Sequence, residues 1–412
     1  MTLSENVEPV APVLDLFAPE LLIDPYPWYR EMLRAGPTDY TLPQMPHVRG
    51  TLFSSHADVQ AILRDTRFGR DAFREAATKA LGEGPLSDSY ALWFLFMDPP
   101  NHTRLRGLVS KAFTPRTVDQ LRPAIAAVVE ELLDRQADRP SFDLVNAYAY
   151  QVPVLVICDL LGVPTEDRGR FGAWSAALAR GLDNLTLADS EFIMQGNAAA
   201  AGLTDYFRQL IARRRHQPGA DLLSGLIAAE QAGDRLSEDE LLATCVLLFF
   251  AGHETTVNLI GNGVLALLRH PGELKRLRDD PSLIGNAVEE LLRYDSPVQR
   301  TGRIATEDFS LRGRAYKKGD RVTLLVGAAN RDPRQFTEPD RLDVKRENAG
   351  QHLSFAAGIH YCVGAPLARL EAQIAIATLL KRAPALRVLD DEPKWRSTFV
   401  LRGLRSLEVA WQ

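Results

Sequence analysis

This 412-residue sequence predicts a mainly α, α+β fold: one helix-rich domain with small peripheral β-sheets. Three observations carry that expectation. From residue 105 to about 292, apolar residues recur at three- and four-residue spacing with few proline breaks, the period of helices packed on a core. Within that span, LLATCVLLFFAGHETTVNLIGNGVLALLRH reads as a helix on the order of 30 residues, apolar nearly all round at its middle and so central and buried. Strand-like runs gather elsewhere, at 48–54, 321–326 and 404–411.

The elements follow in order. Residues 1–20, MTLSENVEPVAPVLDLFAPE, lack a basic stretch followed by a continuous apolar core, so they read as a poorly ordered arm and not as a signal peptide. The run Asp98-Pro-Pro-Asn-His-Thr-Arg-Leu-Arg106 opens a helix with His102 and Arg106 on one face. Thr114-Pro115 starts another, with proline at a tolerated first-turn position. Ser237-Glu-Asp-Glu-Leu caps the long apolar helix. Residues 330–348, rich in Asp, Pro and Arg, read as irregular coil, and GAPLARLEAQIAIATLLKR after Cys362 reads as a helix. No repeat, low-complexity tract or linker divides the chain, so residues 1–412 form one domain.

Composition narrows the function. Apolar residues make up 46% of the chain and the formal net charge is −5, which favours neither nucleic acid nor an anionic membrane as partner. The three cysteines, Cys158, Cys245 and Cys362, are odd in number and far apart, as in a reducing cytoplasm. No apolar run approaches the ~20 residues that span a bilayer. The expectation is a soluble, cytoplasmic monomer.

The most informative stretch is FAAGIHYCVG, from Phe355 to Gly364. Cys362 there precedes a helix, whose N-terminal N–H groups favour a thiolate. Gly358 and Gly364 let backbone approach something flat, Phe355 shields the sulfur, and His360 offers a donor to an anion. Together these suit a heme held by one axial cysteine, whereas a lone buried thiol would need none of them. With no C-x-x-C-H in the chain, covalent heme attachment is excluded.

This segment resembles the cysteine-ligand loop of the cytochromes P450, heme-thiolate monooxygenases, with Phe355, Gly358, His360, Cys362 and Gly364 in place. Ala356 departs from the family's usual glycine, and a local backbone adjustment is expected there. The resemblance covers essentially the whole chain. It implies the cytochrome P450 fold, heme b, and Cys362 as the metal ligand. Ala251-Gly-His-Glu-Thr-Thr256 resembles the oxygen-activation motif, with Glu254 and Thr255 as the acid–alcohol pair. A hydroxyl competing for the Ala251 carbonyl is expected to loosen that helix locally. The segment also begins the zinc-protease pattern H-E-x-x-H, but Val257 stands where the second histidine is required.

Glu290-Leu-Leu-Arg293 has the spacing of an ordinary helical ion pair. It resembles the family's E-x-x-R brace on the cysteine side, with Arg341 or Arg346 as further partner. For the heme propionates the resemblance implies His102, Arg106, Arg303 and His360, with Arg300 a nearby competitor of Arg303. For the substrate pocket it implies Trp93, Phe94 and Phe96, then Leu247, Leu248 and Ala251, then Val298 to Thr301 with Arg300, then Phe399 and Val400.

The implied activity is insertion of one oxygen atom of O2 into a hydrophobic small molecule, in secondary metabolism or acyl-chain oxidation. The chain is too short to carry a fused reductase as well, so a ferredoxin and ferredoxin reductase are the expected electron donors. Basic residues near Arg104, Lys111 and Arg116 would receive the ferredoxin. The alternatives are a heme-thiolate peroxygenase using H2O2, which would not need Glu254 and Thr255, and a non-catalytic heme gas sensor.

Overall fold

The structure is a computed structural model that describes residues 18–411 except 43–44, 112, 173, 175–176, 179–189, 232–235, 390–391 and 399. Residues 1–17 of the expected arm lie outside the described residues. The last residues assigned to it are not irregular: Ala18 caps a short helix, Pro19–Ile23, with proline in its first turn. Arg402 Nη1 pins that helix by donating to the carbonyls of Leu22 and Ile23 at 3.2 and 3.0 Å.

The described strands are β1 (Thr38–Leu42), β2 (Met45–Phe53), β3 (Phe68–Gly69), β4 (Ser141–Asp143), β5 (Arg300–Ala305), β6 (Phe309–Leu311), β7 (Arg314–Tyr316), β8 (Arg321–Leu325), β9 (Arg387–Val388), β10 (Lys394–Trp395), β11 (Leu404–Ser406) and β12 (Glu408–Ala410). They form small sheets beside the helices: β1-β2-β8-β5-β3, β4-β12-β9, and the pairs β6-β7 and β10-β11. β2 and β8 pair in parallel, and every other pair is antiparallel. The run expected at 404–411 is two strands. Leu407 interrupts it, with its N–H donating to Asp143 Oδ1 at 3.1 Å and its carbonyl accepting from Leu144 N–H at 2.8 Å.

The long apolar helix spans Glu238–Arg269. Its start is a full capping box: Ser237 Oγ accepts from Glu240 N–H at 3.2 Å, and Glu240 Oε2 accepts from Ser237 N–H at 2.9 Å. By length and composition this helix would suit a membrane, contrary to the sequence expectation, yet 83% of its most apolar 18-residue window is buried inside the fold. Helices Gln151–Leu160, Ser190–His216 and Ala365–Arg382 pack around it and share one large hydrophobic core. The helix continues unbroken through Ala251–Thr256, so the expected loosening there does not occur.

The coil at 330–348 is irregular, as expected, and it is held by buried charge. Arg293 donates to both carboxylate oxygens of Glu290 at 2.7 and 2.9 Å, and to the carbonyls of Asn330 and Pro339 at 2.9 and 2.8 Å. Arg346 Nε completes the group at 3.1 Å from each Glu290 oxygen. Arg341, the other named partner, gives only its carbonyl, and its guanidinium turns out to Glu338 and Asp343. Asn286 adds to this cluster by donating to the carbonyls of Val344 and Arg346 at 2.9 and 3.2 Å, and Arg331 by donating to the Tyr294 carbonyl.

Candidate active site

Cys362 sits between a 3₁₀ turn, Gly358–His360, and the helix Ala365–Arg382, with Gly364 at the helix N-cap. Its N–H donates to the Phe355 carbonyl at 2.9 Å, which closes the loop. The sulfur opens into a cavity of about 680 Å³. Burial pushes the thiol up, while N–H groups of Gly364 and Ala365 and the charges of Arg106 and Arg369 pull it down. A metal cation is what would complete the thiolate form.

Each glycine of the loop has its own reason. Gly358 has φ +71°, and a Cβ there would collide with the Leu63 carbonyl oxygen. A Cβ on Gly364 would meet only Cys362 Sγ, at 4.0 Å, so glycine there leaves open space beside the sulfur. Phe355 lines the cavity and carries the Arg369 guanidinium 4.5 Å above its ring. Ala356 keeps φ +59°, so the backbone has not adjusted to the missing glycine.

Beside the cysteine loop is a cluster of cationic and imidazole groups. His102 and Arg106 come from the helix Asn101–Ser110. The His102 ring lies 4.3 Å from that of His360, and neither His102 nitrogen nor His360 Nε2 has a hydrogen-bond partner among the described residues. Arg303 is buried and donates to Thr301 Oγ1 and the Gly302 carbonyl at 3.2 and 2.7 Å. Arg106 Nη2 donates to the Tyr361 carbonyl, tying this helix to the cysteine loop.

Arg70 completes the cluster and was missed from sequence. It donates to the Leu95 carbonyl at 2.7 Å and to Thr301 Oγ1 at 3.0 Å, and its Nε has no partner. Nothing in its local sequence marks it, because only the fold brings residue 70 beside residue 301. Arg300 and Arg303 both line the cavity, but three residues apart on β5 they point to opposite faces of the sheet. Arg303 takes the face that meets this cluster.

The electrostatics test whether heme fits. Burial lowers Arg70 to about 10 and His102 to about 4, with Arg106 adding to the latter. Burial and the Arg70 charge depress Arg303 and His360 further still. Asp98 is the nearby carboxylate, and it is taken up by the backbone N–H groups of Arg70 and Asp71. A wall of disfavoured cations and orphaned ring nitrogens wants a dianion, which two heme propionates would supply. The residues present fit the group.

On the central helix, Leu247, Leu248, Ala251, Gly252, Glu254 and Thr255 line the cavity. Gly252 lets Ile157 close in, since a Cβ would stand 3.0 Å from its Cδ1. Glu254 is buried and ion-paired with Arg396, a second residue missed from sequence, which arrives from just beyond β10. His253 Nε2 is 3.8 Å from Glu254 Oε2, and burial lowers this imidazole.

Of the expected pocket residues, Phe94, Phe96, Val298, Arg300 and Val400 also line the cavity. Trp93 does not. It is wholly buried, stacked on Tyr90 at 4.3 Å and on Phe250 at 5.6 Å, because its position at the end of the helix Pro85–Leu92 turns it into the core. Phe399 lies outside the described residues. Phe73, Ala76, Ala77 and Ala80, from the helix Asp71–Leu81, add apolar wall that the sequence did not mark. On the cysteine side Lys111 and Arg116 are exposed as expected, but Arg104 is paired with Glu240 at 2.5 Å.

The chain is similar to known proteins along most of its length. The family model described as Cytochrome P450 matches residues 191–384. The biotin biosynthesis cytochrome P450 of Bacillus subtilis (strain 168) is 42% identical over 394 residues, 95% of this chain and 98% of that protein. The polyketide biosynthesis cytochrome P450 PksS of the same organism is 43% identical over 368 residues, 87% of this chain and 88% of that one. Among solved structures, P450BioI in complex with an acyl carrier protein ligated to hexadec-9Z-enoic acid superposes with a TM-score of 0.88 at 42% identity, covering 95% of this chain and 100% of that one. The chain belongs to the bacterial cytochromes P450, heme b-dependent monooxygenases.

Proposed function

We propose that this chain hydroxylates or epoxidises a hydrophobic small molecule with one oxygen atom of O2, taking electrons from a ferredoxin and its reductase. The observation that supports the reading best is that Cys362, Glu254 and Thr255 line one cavity whose remaining wall is largely apolar. Heme held by the Cys362 thiolate would supply the oxygen chemistry itself. His102, Arg106, Arg303 and His360, joined by Arg70, would hold its propionates. Thr255 presents a hydroxyl to the cavity and passes protons inward with water. Glu254 resupplies it, after leaving the ion pair with Arg396.

Phe94, Phe96, Leu247, Leu248, Ala251 and Val298 offer few polar anchors, which suits a hydrophobic ligand. The biotin and polyketide pathways of the relatives, and the acyl chain on the carrier protein bound to the solved neighbour, favour an acyl or polyketide substrate.

Turnover reconstituted with ferredoxin, reductase and NAD(P)H tests the reading. Product from H2O2 alone, and none from the electron chain, would make the protein a peroxygenase. In Thr255→Ala, NAD(P)H consumption should continue while product per NAD(P)H falls by roughly tenfold or more and hydrogen peroxide accumulates. Unchanged coupling in that variant removes Thr255 from the relay.

A further inference from the structure

The cavity carries more positive charge than the site described above uses. Among the described residues its wall includes Arg70, Arg106, Arg300, Arg303 and Arg321 against one carboxylate, Glu254. Arg321 is not among the residues assigned to the propionates.

The excess has a defined place. β5 and β8 pair antiparallel, with Gly302 opposite Thr323 and Ile304 opposite Arg321. Because side chains alternate along a strand, Arg300, Gly302, Thr323 and Arg321 share one face, and Thr301 and Arg303 take the other. Tyr40 of β1 joins the first face through a 2.8 Å hydrogen bond between its hydroxyl and Thr323 Oγ1. Phe73 closes over the same face, so tightly that a Cβ on Gly302 would stand 2.6 Å from its Cζ. The Arg321 guanidinium lies 5.4 Å from the centroid of that ring and makes no ion pair among the described residues. The charges of Arg321 and Arg300 both act on the Tyr40 hydroxyl, against the effect of its burial. Beyond this face the lining is apolar, from Ala76, Ala77 and Ala80 across to Leu247.

We propose that this face is an anion subsite, in which Arg321 and the Tyr40 hydroxyl bind the carboxylate or phosphate end of an elongated apolar substrate. The inference rests on the monooxygenase reading of the cavity. The guanidinium fork matches either anion with two parallel N–H donors. Phe73 covers one side of that fork, which limits water's access to it and strengthens an ion pair made there. Arg300, on the same face, adds charge without needing direct contact. The alkyl part then has the alanine-lined wall to run along towards the central helix.

The test titrates the holoenzyme with dodecanoate, dodecyl phosphate and 1-dodecanol, following the heme absorption shift and confirming Kd by calorimetry. At least one anion should bind roughly tenfold or more tightly than the alcohol, the worth of a charge-assisted hydrogen bond. Arg321→Gln should erase that preference while heme content and 1-dodecanol binding stay as in the wild type. The anion that gains more tells a free acid from a phosphate-bearing carrier arm. Equal binding of all three probes by the wild type, or a preference that survives Arg321→Gln, overturns the proposal. Should Arg321→Gln fail to load heme, Arg321→Lys and Tyr40→Phe decide: preference kept in the first and reduced in the second supports the subsite, and any other pattern overturns it. Oxidation of the probes without an anion preference would sink the subsite and leave the monooxygenase reading standing. A preference without oxidation would do the reverse.

Discussion

Ala356 and Gly358, two residues apart in the cysteine loop, should respond to substitution with opposite signs. Ala356 holds φ +59°, where an L-residue costs about 1–2 kcal/mol, and the greater freedom of glycine in the unfolded chain returns about 0.5–1 kcal/mol of that. Ala356→Gly should therefore stabilise the holoenzyme by roughly 0.5–1 kcal/mol. Gly358→Ala adds a Cβ at φ +71° against the backbone of Leu63, which cannot swing aside, and should cost at least about 2 kcal/mol. Urea unfolding followed by heme release measures both, and a shift of the two midpoints in the same direction would refute the argument. The cysteine loop was legible in the sequence because its chemistry is local: thiol, glycines, aromatic and imidazole fall within ten residues. Arg70 and Arg396 were not, since each meets its site only through tertiary contact, more than a hundred residues away in sequence from Thr301 and Glu254 respectively.

Between elements, the cluster of Glu290, Arg293 and Arg346 joins the helix Ile284–Tyr294 to the coil that follows β8. Glu290 and Arg293 are fully buried, so this carboxylate is the counter-charge for two guanidinium groups at once. Glu290→Gln leaves both cations buried and uncompensated, and should cost about 3–5 kcal/mol with loss of bound heme. Arg341→Ala removes an exposed pair and should cost under about 1 kcal/mol. Thermal unfolding of the two variants checks this, and similar losses would mean that Arg341 shares the brace. The spacing of Glu290 and Arg293 was readable one turn apart on a helix. The choice of Arg346 over Arg341 was not, because it depends on which way an irregular coil turns its side chains. The same limit applies to 404–411, where the apolar run was legible but its break at Leu407 depends on Asp143 and Leu144 from a distant strand.

Across the whole molecule, the helix-rich class was legible because the three- and four-residue period persists over most of the chain, while the pairing of five short strands into one sheet left no trace in it. Electron delivery belongs to this scale, since it depends on the charge of a face. The protein is acidic overall, with a formal charge of −5, so a negatively charged ferredoxin would be repelled unless one face is locally basic. Lys111 and Arg116 are exposed just beyond the helix that Arg106 ties to the cysteine loop, and the side chains of Ile359 and Tyr361 are exposed on that loop. Arg104 is spent on Glu240, so it should contribute little to docking. Electrostatic steering on exposed charges is screened beyond ~8–10 Å at physiological salt. The rate of reduction by an acidic ferredoxin should therefore fall as ionic strength rises, and fall further in the double variant Lys111→Glu with Arg116→Glu. Arg104→Gln should change it far less. Stopped-flow reduction under carbon monoxide, read from the ferrous complex, separates the cases, because heme content and the spectrum of that complex report folding independently of docking. A rate insensitive both to salt and to the double variant would place the electron donor on another face.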